Sequence, residues 1–149
     1  MMKLNRINLI CLGVQSVARS MAFYKALGFQ CYEKEMNPPI VFFDNQGTKL
    51  ELFQREALAK DIHAANPPEI DSTTFKGFTL AINMKSKEEV DSFLSLVAQN
   101  NGNIIKPAER VFWGGYSGYF QDLDGYYWEV AYADSWAFDE QNMLIIEKN

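Results

Sequence analysis

Residues 9–29, LICLGVQSVARSMAFYKALGF, and residues 80–102, LAINMKSKEEVDSFLSLVAQNNG, run alike: an apolar strand, a turn, then a stretch of helical period. Ser16 falls opposite Ser86 and Phe23 opposite Phe93 at one constant offset, so the chain carries a repeated unit. Both serines stand where a side-chain oxygen would accept from the orphan amides of a first helical turn. Glu89, three residues after Ser86, predicts a capping box at the second of them. Gly28 and Gly102 follow the two helices, as expected where the chain leaves a helix through a left-handed residue.

Beyond each helix the apolar period shortens to two. FQCYEKE, IVFFDN and KLELFQ predict three strands in the first half, divided by Asn37-Pro38-Pro39 and by Asn45-Gln46-Gly47. NIIKPAE, the Tyr- and Gly-rich segment near 116–122, and YYWEVAY play the same parts in the second half, with Asp124-Gly125 as the last turn. The expected fold is therefore α+β, a duplicated βαβββ arrangement within a single domain of 149 residues. Module one spans about 5–54, a linker about 55–75, module two about 76–132 and a tail 133–149. The linker opens with a short helix, REALAKDI, and turns polar at Pro67-Pro68, while the tail, with Trp136, Phe138 and MLII, is expected to fold back.

Period two also sorts the strands into faces. Ile10, Leu12, Leu50, Leu52, Leu80, Ile82, Trp128 and Val130 form an apolar face to pack against the helices. The opposite face mixes Leu9, Cys11, Lys49, Glu51, Phe53, Thr79, Ala81, Tyr127, Glu129 and Ala131. Such a face either meets solvent or lines a concave pocket with a few polar anchors, and alternation leaves both open. Phe23, Tyr24 and Phe93 read as core.

Composition narrows the function. With 48% apolar and 14% aromatic residues the chain is no disordered segment, since it has enough apolar surface to offset ordering entropy. No apolar run is long enough to cross a bilayer and the first residues lack a secretory signal, so the expectation is a cytoplasmic protein. A net charge of −5 and a pI near 4.9 argue against nucleic acid and anionic membranes as partners. Cys11 and Cys31 have no CxxC spacing and read as buried free thiols. The one histidine, His63, sits in the linker, so Ser-His-Asp and Cys-His catalysis lack their base, and neither GxGxxG nor a P-loop is present.

The repeat, with LGVQSVARSMAFYKALGF near its start and WGGYSGYFQDLDGYYWEVA near its end, resembles the vicinal oxygen chelate superfamily of glyoxalases, bleomycin-resistance proteins and extradiol dioxygenases. The resemblance implies that each module is an incomplete barrel forming a cup-shaped cavity, walled by the mixed face. It also implies metal positions on the first and fourth strands of each module, commonly His, Gln or Glu. Those positions fall here on Leu9, Glu51, Thr79 and Glu129. Two carboxylates without imidazole suit Zn²⁺, Ni²⁺ or Fe²⁺ poorly, so no metal and no cofactor is expected.

The ligand-binding candidates are Leu9, Cys11, Glu51, Phe53, Thr79, Trp113, Tyr119, Tyr127 and Glu129, with Glu129 the one catalytic candidate. Trp113 and the tyrosines lie in FWGGYSGYF, whose glycines let a loop cross a cavity mouth. A carboxylate walled by aromatics either anchors a cationic or hydrogen-bonding ligand, or acts as a general base. The expected function is metal-free binding of an aromatic or cationic small molecule, an antibiotic among the possibilities. The competing reading is a glyoxalase-type lyase or isomerase using Glu129 with an atypical or absent metal. The resemblance also implies a homodimer.

Overall fold

The computed structural model describes residues 1–148; Asn149, the last residue of the predicted tail, lies outside the described residues. Contacts divide the chain into two compact units, the first spanning residues 1–71 and the second beginning at Ser72. Each holds an open sheet, neither closing into a barrel.

In the first unit β1 (Leu9–Val14) leads into α1 (Val17–Ala26), then β2 (Ile40–Phe42), β3 (Lys49–Gln54) and α2 (Arg55–Ile62). The sheet order is β1-β3-β2, with β1 and β3 parallel and β2 antiparallel. Ser16 caps α1 by accepting from the Arg19 amide at 3.2 Å, and Gly28 leaves the helix with φ +103°. The predicted apolar face is the core face, since Leu12, Leu50 and Leu52 are buried beside the helical Val17 and Phe23. Tyr24 is sealed in, its ring edge-on to Phe23, Phe29 and Phe43 at 5.1 to 6.1 Å.

FQCYEKE does not form the strand expected of it. The segment runs beside β2, with the Asp44 amide donating to the Gln30 carbonyl at 2.7 Å, but it forms no strand of its own. The Glu33 carboxylate accepts from the amides of Lys34 and Glu35 at 3.0 and 2.9 Å, a local arrangement that competes with a sheet ladder. Three charges in a row at a sheet edge also disfavour pairing.

The second unit repeats the plan in fuller form: β4 (Leu80–Asn83), α3 (Lys87–Gln99), β5 (Asn103–Arg110), β6 (Tyr116–Gln121) and β7 (Tyr127–Tyr132). Its sheet order is β4-β7-β6-β5, which puts Pro107 on an edge strand, where a missing amide costs no ladder bond. Val90, Leu94 and Val97, at helical spacing, are buried where α3 packs on β5, β6 and β7. Ser86 caps α3 by accepting from the Glu89 amide at 3.1 Å. The Glu89 carboxylate, however, reaches the Lys85 amide at 2.8 Å, one residue short of the capping-box partner. The exit differs too: Asn101, not Gly102, takes the left-handed conformation at φ +71°, as an asparagine tolerates, and the Gly102 amide closes onto Val97.

Gly118 on β6 is required by close approach. A Cβ there would stand 2.7 Å from the Lys106 carbonyl oxygen and 3.0 Å from the Ala108 amide, so β5 could not lie where it does. After β7 the chain turns back on itself, with a bridge between Phe138 and Leu144 and the Asp139 amide donating to the Met143 carbonyl at 2.9 Å. Lys85 ties this hairpin to the unit, donating to Asn142 at 2.6 Å and lying 5.5 Å above the Phe138 ring.

Candidate functional site

β1 and β3 bring four of the sequence-chosen residues together in the first unit. Parallel pairing sets Leu9 beside Lys49, Cys11 beside Glu51 and Gly13 beside Phe53, so Leu9, Cys11, Glu51 and Phe53 share neighbouring rows. Leu9 is exposed and the other three are half-buried. Lys49 does not serve Glu51: its ammonium pairs with Asp44 at 3.0 Å and donates to the Asn45 carbonyl. That cation, chiefly through its hydrogen bond, holds the Asp44 carboxyl below its ordinary value.

Glu51 accepts instead from the Cys11 thiol. Burial, and then the adjacent Glu51 charge, push the thiol up to about 11 from an ordinary 9.0. The protonated thiol is the favoured form, so its contribution to stability is present below pH 9.0 and lost as pH rises through about 11. Cys11 is therefore a weak nucleophile at neutral pH. We expect iodoacetamide at pH 8 to modify Cys11 roughly 100-fold more slowly than an unperturbed thiol, read by mass mapping of the Cys11 peptide, with the rate climbing through pH 11. Cys31 is likewise free and half-buried, its thiol facing the Phe42 carbonyl at 3.9 Å, so neither cysteine is fully buried as the sequence suggested.

The second unit contains a cavity of about 320 Å³, at the small end of the roughly 300–1,000 Å³ typical of ligand clefts. Trp113, Tyr119 and Glu129 line it. β6 and β7 set Tyr119 opposite Glu129, and the Tyr119 hydroxyl donates to the Glu129 carboxylate. Desolvation first, then the Glu129 charge, raise the pKa of Tyr119, so the hydroxyl stays a donor. Thr79 and Tyr127 belong to this unit but lie outside the cavity lining: Thr79 is exposed before β4, and Tyr127 meets the Phe75 ring edge-on at 5.7 Å. Ala131, placed by alternation on the mixed face, is fully buried.

The loop between β5 and β6 makes the aromatic wall. The Val111 amide donates to the Gly115 carbonyl and the Gly114 amide to the Val111 carbonyl, both at 3.0 Å, closing a tight turn with Gly114 at φ +90°. Phe112 at its tip is fully exposed, while Trp113 is 42% exposed and stacks on Trp136 of the tail at 5.7 Å with planes 20° apart. The cavity also takes in Lys106, Glu109 and Ser117, none of which the sequence reading singled out. NIIKPAE reads as a plain strand, and only its pairing with β6 turns Lys106 toward the site. His63 ends α2 and accepts from the Asn66 amide at 2.9 Å, a structural place.

The residues at the four metal positions do not fit a metal. Glu51 is engaged by a protonated thiol and Glu129 by a tyrosine hydroxyl, while Leu9 offers no donor and Thr79 only a hydroxyl. Within each unit, no three His, Cys, Asp or Glu side chains among the described residues gather closely enough to hold an ion.

The family described as the Glyoxalase/Bleomycin resistance protein/Dioxygenase superfamily matches residues 6–130. A glyoxalase-related enzyme from Fulvimarina pelagi is similar in structure, with 25% identity, 97% of this chain and 100% of its own covered, and a TM-score of 0.84. A glyoxalase/bleomycin resistance protein/dioxygenase from Nocardioides is 19% identical, with 91% and 87% covered and a TM-score of 0.71. A lactoylglutathione lyase from Agrobacterium tumefaciens is 21% identical, with 92% and 100% covered and a TM-score of 0.66. These last two likenesses speak for the fold alone. No curated protein matches the chain significantly.

Proposed function

Because the chain belongs to the glyoxalase/bleomycin resistance protein/dioxygenase superfamily, we propose that it is a metal-free small-molecule-binding protein, of the kind that sequesters a planar antibiotic. The observation that carries this reading is the second-unit cavity, whose lining brings the hydrogen-bonded Glu129 and Tyr119 together with Trp113 and the exposed Phe112. Such a site holds a flat ligand by stacking and orients it by one charge-assisted hydrogen bond. Proton abstraction beside a carbonyl would need an electrophile for the enolate, and neither Leu9 with Glu51 in the first unit nor Thr79 with Glu129 in the second fits the metal that serves this purpose in metal-dependent relatives. The expected assembly is a cytoplasmic homodimer; no helix among the described residues is long and apolar enough to cross a membrane.

One observation favours the competing reading of a glyoxalase-type lyase or isomerase: Glu129 lies in the cavity wall, where a base would have to be. One panel decides between them. Planar cationic antibiotics should bind with saturation, and methylglyoxal-thiol adducts should not be turned over. Purified protein should contain far less than one equivalent of Zn, Ni, Fe or Mn, and a chelator should leave its melting temperature unchanged. One tightly held equivalent of metal, or turnover of an adduct, would replace the binding reading with the lyase.

A further inference from the structure

Lys106 and Arg110, both in the cavity lining, give it a charge pattern that the acidic composition conceals. Between the pairs Ile104↔Phe120 and Lys106↔Tyr119, β5 spends one residue more than β6, and it does so again between Lys106 and Glu109↔Ser117. The first irregularity turns Lys106 onto the face of Tyr119, away from the Phe120 face that packs on α3. Lys106, Tyr119 and Glu129 then form one row across three adjacent strands. At the usual spacing of strands, the backbones carrying the ammonium and the carboxylate stand roughly 10 Å apart.

The ends of this row are available to different degrees. The Glu129 carboxylate keeps acceptor capacity beyond the Tyr119 hydroxyl it already meets. The Lys106 ammonium pairs with Glu109 at 3.4 Å, the side chains being 42% and 63% exposed, and an ion pair so solvated is weak enough for a ligand anion to displace. Trp113 and the exposed Phe112 supply apolar surface to the same lining. A ligand with only positive charge would gain at Glu129 and be repelled at Lys106 and at Arg110, the second cation of the lining.

Resting on the binding reading above, we infer that the cavity takes a bipolar planar ligand: a flat aromatic body with an anionic group set at Lys106 and an ammonium or similar donor set at Glu129. The row from Lys106 through Tyr119 to Glu129 measures the separation of the two groups, and the aromatic loop holds the body between them.

A matched set of probes tests this: 6-(aminomethyl)-2-naphthoate, which carries both groups, against 2-naphthoate and 2-naphthylmethylamine, which carry one each. Binding is read from backbone amide NMR shifts of Ser117, Tyr119 and Glu129 in the full chain. The two-group probe should bind at least about tenfold more tightly than either single-group probe. Lys106→Met should lower it to the level of the amine, and Lys106→Glu should make the amine the preferred probe; both variants keep their spectral dispersion because the side chain is half-exposed. If the amine binds wild type as tightly as the two-group probe, or Lys106→Met changes nothing, the inference falls while the binding reading stands. Preference for naphthoate alone also overturns it. If none of the three shifts these amides, both readings of the cavity fall.

Discussion

Replacing Glu129 with glutamine should cost the protein roughly 1.5 to 3 kcal/mol of affinity for a ligand that donates to this carboxylate, about a 10- to 150-fold rise in Kd. The change keeps the shape of the side chain and leaves an oxygen to accept from Tyr119, so the cavity persists while its charge is lost. Calorimetric titration of wild type and Glu129→Gln with one planar cationic ligand reads the difference. The general-base reading expects another pattern from the same variant: an amide cannot take up the proton, so turnover would vanish while substrate affinity barely moved. A second signal accompanies the first. Because the Glu129 charge helps raise the Tyr119 pKa, its removal should lower that pKa, seen as phenolate absorbance at lower pH. A variant unchanged in affinity, turnover and tyrosine titration would make Glu129 an ordinary strand residue.

Two of the second unit's three tryptophans, Trp128 and Trp113, should respond to truncation very differently. Trp128 is 5% exposed and lies parallel to Phe120 at 5.9 Å on the face covered by α3. Trp128→Ala removes a large core side chain and should destabilise the protein by about 3 to 5 kcal/mol, a large share of a domain's typical stability. Trp113→Ala removes a loop side chain that stacks on Trp136, so its cost should stay within about 1.5 kcal/mol while binding of aromatic ligands weakens. Denaturant midpoints for the two variants give the comparison directly. Equal losses would place Trp113 in the core and remove the aromatic wall from the site.

The contrast between those residues marks what the sequence could convey. FQCYEKE apart, strand and helix identity, the serine caps at 16 and 86, the closing turn at Gly125 and the core face of β1, β3 and β7 are set by neighbours within a few positions, and they are as read. The departures are of two kinds, local competition for backbone amides and partners distant in the chain. FQCYEKE alternates like a strand, yet it lies at an edge where its own Glu33 satisfies the amides a neighbour would have taken. Lys106 looks like any strand lysine until the slip of β5 against β6 turns it toward Tyr119, and a slip of register has no local signature. Trp113, Tyr119 and Glu129 line the cavity, and they stand out in the sequence because an aromatic, glycine-broken loop and a lone carboxylate among apolar neighbours are unusual in themselves. Thr79 and Tyr127 share that strand face but fall outside the cavity, whose extent depends on the loop from Val111 to Gly115.

That loop has a further property. The indole of Trp113 occupies the space a side chain at Gly115 would need: a Cβ built there would stand 1.9 Å from the ring. Since no left-handed conformation is demanded of Gly115, alanine suits its backbone and the indole, a movable group at a loop, is what must yield. One added methyl group thus relocates the cavity wall while every wall residue keeps its identity. Inheritance of ligand preference in such a protein can therefore pass through a position that no ligand touches, and relatives with the same wall residues can diverge in what they hold by a single carbon.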